Sequence, residues 1–193
     1  MFENLKKLFE KIREEYSFEQ NLRESLIKES RDIVFYSKKV IYNVHRNNLS
    51  DAEKDFNLLR KKTLSFVKKF EDNNISFEKY GFFSNVLQEY VEAFVFFEFV
   101  KNKTIPLKES FYDSEIYLLG ILDFTGELLR IAVNNAVKNK EFFLLCYNTI
   151  VFLHDEFMLF DFPNSNLRKK FDSLKYSVKK LEDIKLQLEI KEC

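Results

Sequence analysis

Residues 87–100 read LQEYVEAFVFFEFV. Ten of the fourteen are apolar or aromatic, and three are glutamates: Glu89, Glu92 and Glu98. No Gly or Pro interrupts the run, and polar residues do not alternate with apolar ones as they do in a half-buried strand. Asn85, Gln88, Glu89 and Glu92 fall at i, i+3, i+4 and i+7, which is one side of an α-helix. Glu98 lies on roughly the opposite side at 3.6 residues per turn. The polar stripe then stops, because Val95, Phe96 and Phe99 continue the same side as apolar residues. A carboxylate in such a segment is costly to desolvate unless something compensates it.

The same helical reading extends outward. The chain has 193 residues, 46% hydrophobic and 32% charged, with 3 Gly and 2 Pro. So few breakers, with apolar residues at helical spacing, predict an all-α fold: one domain over 1–193, built as a bundle of about seven helices. The spacing predicts a short, peripheral N-terminal helix over 2–15, within 1–16. A capping box, Ser17-Phe-Glu-Gln20, opens a second over 18–47, and another, Ser50-Asp-Ala-Glu53, opens a third to 71. After a turn at 72–76, helices follow over 76–102, 114–138, 140–159 and 165–190. The 140–159 helix is nearly all apolar and is expected to be buried. Breaks fall at Asn47-Asn48, around Pro106, and at Asp161–Asn164.

Composition narrows the function classes. Lys+Arg and Asp+Glu each number 31, so a nucleic-acid-binding surface requires basic residues segregated onto one wall, such as a cavity. Cys146 and Cys193 are isolated and form no disulfide framework or zinc ligand set. The N-terminal MFENLKKLFEKIREEY lacks an apolar leader core, and no stretch reaches the roughly 20 apolar residues of a membrane span. We expect a cytoplasmic protein with no membrane association. The 23 Phe residues suit a core or an interface, and we expect an oligomer.

Three stripes are candidates for chemistry. Glu89 and Glu92 form the first. Asp123, Glu127, Arg130 and Asn134 form the second, along the latter part of SEIYLLGILDFTGELLRIAVNNAVK (114–138), whose first half is apolar. Two acid pairs in the middle of greasy helices suit a hard cation, Mg²⁺ or Mn²⁺, if they face one another. A di-iron bundle needs Glu-x-x-His on two helices, and neither His45 nor His154 follows a Glu at that spacing. The third stripe is Arg31, Lys38 and His45, every seven residues, with Phe35, Tyr42 and Arg46 nearby: basic residues interleaved with aromatics, as a single strand of RNA requires. The ordinary reading of each stripe is a solvated helix face. Lys169, Lys170, Lys175, Lys179 and Lys180 stand among acids on an amphipathic helix and read as surface. His154 and Asp155 read as structural or interfacial.

Taken together, LQEYVEA (87–93), YLLGILDFTGELLR (117–130), SRDIVFYSKKVIYNVHR (30–46) and LRKKFDSLKYSVKKLEDIKLQLEIK (167–191) resemble the Trax, or translin-associated factor X, branch of the translin family. The resemblance spans most of the chain from about residue 20 and implies the short, archaeal type. It implies an all-α bundle assembled into hollow octamers, here a homo-oligomer. It also implies a metal-dependent endoribonuclease for single-stranded RNA, since Trax is the catalytic subunit of the translin–Trax complex. By the resemblance, Glu89, Glu92 and Asp123 match the catalytic acids, and Glu127 matches a nearby acid of the same motif. All four are implied ligands of Mg²⁺ or Mn²⁺, with Arg31, Lys38, Tyr42, His45, Arg46 and Arg130 as the RNA contacts. The alternatives are a non-catalytic, single-stranded nucleic-acid-binding member of the family and a purely structural helical oligomer.

Overall fold

The computed structural model describes residues 2–73, 81–163 and 165–190. Among them the chain forms six α-helices and no strand. They are α1 Phe2–His45, α2 Leu49–Asp72, α3 Phe82–Asn102, α4 Ser114–Asn135, α5 Lys140–Met158 and α6 Asn166–Ile190. The all-α expectation holds. The expected beginning of a helix at 76, the end of the 72–76 turn, Asn164 and Cys193 lie outside the described residues.

The helix count is one lower than expected because the first two predicted helices are one, the 44-residue α1, about 66 Å long. Ser17-Phe-Glu-Gln20 caps nothing. No Gly or Pro lies between Phe2 and His45, and Ser and Gln are tolerated inside a helix. The stripe also keeps its phase: Phe2, Leu5, Phe9, Ile12 and Tyr16 repeat at the same alternating spacing of three and four as the buried Leu26, Ser30, Ile33, Ser37, Val40 and Val44. Residues 2–19 are exposed throughout.

The α1–α2 corner is made by backbone geometry. Asn47 is left-handed (φ 60°); its N–H bonds Val44 O at 3.0 Å, and the Asn48 N–H bonds Asn43 O at 2.9 Å. That is a Schellman ending. It passes the chain straight into α2, which starts at Leu49 with Asn48 as N-cap and no side-chain cap bond. The second predicted capping box, at Ser50, therefore does not form. Side-chain caps do open α4 and α5: Asp113 Oδ1 accepts from Ile116 N at 2.7 Å, and Asn139 Oδ1 from Phe142 N at 3.0 Å.

α1 packs against α2 and α3, α3 against α4, and α4 against α5 and α6. Phe96, Phe99 and Phe124 are buried in the α3–α4 layer and Phe97 stacks on Phe56 of α2, each contributing about 1.5–3 kcal/mol by burial. Gly120 sets the approach of these two helices. A Cβ there would lie 2.5 Å from Val91 Cγ1 and 3.2 Å from Gln88 O. Any side chain would push the helices apart, and with them Glu89 and Glu92 from Asp123. The expectation that the apolar 140–159 helix is buried needs correction. α5 packs mainly against α4 and α6, so one stripe (Phe143, Cys146, Ile150, Leu153, Phe157) is covered, while Phe152 and Met158 are exposed, as are Leu159 and Phe160 just beyond its end. Burial pushes the Cys146 thiol up to about 12, so it is inert.

Candidate functional site

Three helices enclose a cleft of about 610 Å³. α1 contributes Lys38, Ile41, Tyr42, His45 and Arg46; α3 contributes Glu89 and Glu92; α4 contributes Glu127, Arg130 and Asn134. Glu89, Glu92 and Glu127 and the later part of the basic–aromatic stripe, separate in sequence, thus line one space, while Asp123 does not line it. Arg31 is exposed and does not line it. Two helical turns before Lys38, it is carried about 10 Å along α1. Glu98 is elsewhere and accepts from Asn102 Nδ2 at 2.6 Å.

The four acids feel one another, but their surroundings differ. Glu92 makes no hydrogen bond or ion pair to any described residue. Burial, then the charges of Asp123, Glu89 and Glu127, push its carboxyl up to about 8. Glu89 is also raised, by burial first, with Lys38 opposing. Asp123 sits behind the cleft, beside a hollow of about 230 Å³ shared with α6. Gln88 Nε2 donates to its Oδ2 and Lys170 Nζ to its Oδ1. Glu127 is paired with His45 Nε2 and lies 3.6 Å from Arg130 Nη1, and the His45 hydrogen bond holds its carboxyl below the usual value.

His45 differs from its expected part as an RNA contact. Its side chain is 9% exposed, its ring lies 4.8 Å from that of Phe96, and it orients Glu127. Its buried Nδ1 has no hydrogen-bond partner among the described residues. Tyr42, by contrast, is 57% exposed with the Arg46 guanidinium 5.3 Å from its ring centroid, so both remain presented to a ligand. Lys170, read from the sequence as surface, is the missed residue. Its signal was position: it lies three residues after Leu167 and four before Leu174, inside the apolar stripe of α6. His154 stacks on Phe171 at 5.8 Å, in keeping with a structural part.

An all-oxygen donor set with two unpartnered, raised glutamates has the chemistry of a hard divalent-cation site. Among the described residues, however, no three His, Cys, Asp or Glu side chains are grouped closely enough to hold an ion as they stand. Asp123 is turned to Lys170 and Glu127 to His45, so a metal ion must compete with those two side chains. No helix among the described residues is long and apolar enough to cross a membrane.

The model of the translin family matches residues 21–192. A translin-associated protein X homolog of Schizosaccharomyces pombe is 35% identical over 138 residues, which is 62% of this chain and 58% of that protein. The chain thus spans a little over half the length of this relative. The solved structure of apo-NeC3PO superposes with a TM-score of 0.83 at 26% identity, covering 91% of this chain and 94% of that one. An AfC3PO–duplex RNA complex superposes with a TM-score of 0.83 over 95% of this chain and 97% of that one. Its 21% identity speaks for the fold alone.

Proposed function

The chain belongs to the translin family and is Trax-like within it; from that premise we propose that it is a metal-dependent endoribonuclease acting on single-stranded RNA. The observation that carries this reading is Glu92: an unpartnered, half-buried carboxyl raised to about 8 among three other acids, beneath a rim of Lys38, Arg46 and Arg130. A structural role offers no reason to hold a carboxylate at such cost.

Glu89, Glu92 and Asp123, with Glu127, are the residues that would hold Mg²⁺ or Mn²⁺. Bound there, the cation would supply Lewis-acid stabilisation and a more acidic water. Lys38, Arg46 and Arg130 bind the phosphates, and the exposed Tyr42 ring stacks a base. Glu92, titrating near neutrality, holds or releases a proton at its carboxyl oxygen. His45 orients Glu127, while Gln88 and Lys170 orient Asp123. The protein works in the cytoplasm as a homo-oligomer, an octamer by family likeness. The exposed apolar stripe of α1 (Phe2, Leu5, Phe9, Ile12) and the exposed apolar residues of α5 (Phe152, Met158) provide surface for assembly.

A second reading, a non-catalytic RNA-binding member, draws on the engagement of Asp123 by Lys170 and Glu127 by His45. The test is incubation of end-labelled single-stranded and duplex RNA with purified protein in Mg²⁺, Mn²⁺ or EDTA. Cleavage of the single strand in either metal and none in EDTA is expected. Binding without cleavage in every condition selects the second reading.

A further inference from the structure

We propose that a second hollow, next to the acidic cleft, holds a nucleotide of the bound RNA strand; this rests on the reading of the cleft as an RNA site. The hollow measures about 560 Å³ and lies where α1, α3 and α4 end and α5 begins. It shares His45 and Asn134 with the cleft, so the two spaces are neighbours across one wall.

Its lining inverts the chemistry of the cleft. No carboxylate lines it, and the polar groups are two lysines, Lys103 and Lys138, and a set of asparagines that includes Asn47, Asn134 and Asn139. Lys138 makes no hydrogen bond or ion pair to any described residue, and neither do the side chains of Asn47 and Asn134. Lys103 has an ordinary duty as well: its Nζ donates to Val100 O at 2.7 Å, at the end of α3. That bond uses one of its three donors. The same Nζ lies 4.4 Å from the centroid of the half-buried Phe142 ring, which is also in the wall.

Two ammonium groups with no acid beside them attract an anion. Amides, which both donate and accept, match the edges of an unpaired base, and an aromatic wall gives the base a surface to stack on. Direction comes from α4. Glu127, Arg130 and Asn134 follow one another along one face, and Lys138 comes just past its end. From Glu127 to Asn134 is about 10 Å along the axis, so a strand crossing the acids continues into the hollow.

Affinity for a short fluorescein-labelled single-stranded oligoribonucleotide, measured by anisotropy in EDTA at several salt concentrations, tests this without any cleavage. The Lys103→Gln/Lys138→Gln variant is expected to bind about tenfold more weakly. Its salt slope should be shallower by about 1.4, for two lost phosphate contacts at about 0.7 each. Lys138→Glu, at an exposed position with no partner, should weaken binding without touching the fold. Lys6→Gln/Lys7→Gln, on the exposed end of α1, should match the wild type in affinity and slope. Wild-type affinity and slope in both hollow variants would overturn the proposal alone. Failure of the wild type to bind RNA would overturn it together with the functional reading.

Discussion

Replacing Glu92 by Gln, or Glu89 by Gln, is expected to lower the rate of single-stranded RNA cleavage by about a thousandfold or more, the scale of losing a group that acts in the transition state. Affinity for the RNA in EDTA should stay within about threefold of wild type, because Lys38, Arg46 and Arg130 on the rim are untouched. The substitution conserves size and removes only the titratable carboxyl, so it separates a chemical role from a packing role. Single-turnover cleavage beside anisotropy binding reads both. Equal losses of binding and cleavage would make the acids part of the binding surface instead.

The same Glu92→Gln change is expected to stabilise the protein in EDTA above neutral pH. The Glu92 carboxyl titrates at about 8 in the folded chain against an ordinary value of 4.5, so the folded state holds the proton more tightly. Its contribution to stability is complete below about 4.5 and is lost progressively as pH rises through about 8. With allowance for solvent at the cleft mouth, the variant should gain about 2 kcal/mol at pH 8–9, or about 4–8 °C in Tm for a chain of this size. At pH 4 the two proteins should melt alike. Thermal unfolding at a series of pH values in EDTA reads this; a variant less stable than wild type at pH 8 would show that Glu92 is compensated by a partner. Greater stability with lost activity is the trade expected of a functional site.

How much of this was legible in the sequence depends on the distance over which each feature is determined. The stripes at 85–92 and 123–134 are periodicities within single helices, and both are present as read. Their convergence is a tertiary fact. It depends on Gly120 letting α3 and α4 approach and on α1 laying Lys38 and His45 across them. The capping boxes misled because a cap motif is permissive: Ser17 can open a helix but does not stop one already running in phase. Composition misled at α5, where apolar content exceeds what a helix packed mainly against two neighbours can cover. His45 and Lys170 illustrate the remaining limit. Both looked like members of basic surface patterns, yet each turns inward to a carboxylate on another helix. Pairing across 82 and 47 residues leaves no local trace.

The central claim is that the acids of α3 and α4 exist to hold a divalent cation. A Mn²⁺ titration of the wild type and of the Glu89→Gln/Glu92→Gln double variant, following the free ion by electron paramagnetic resonance, tests it without reference to activity. Saturable Mn²⁺ binding by the wild type, lost in the double variant, is the predicted result. Equal binding by both proteins, or none by the wild type, would contradict the claim and leave the pairings of Asp123 with Lys170 and of Glu127 with His45 as what these acids serve.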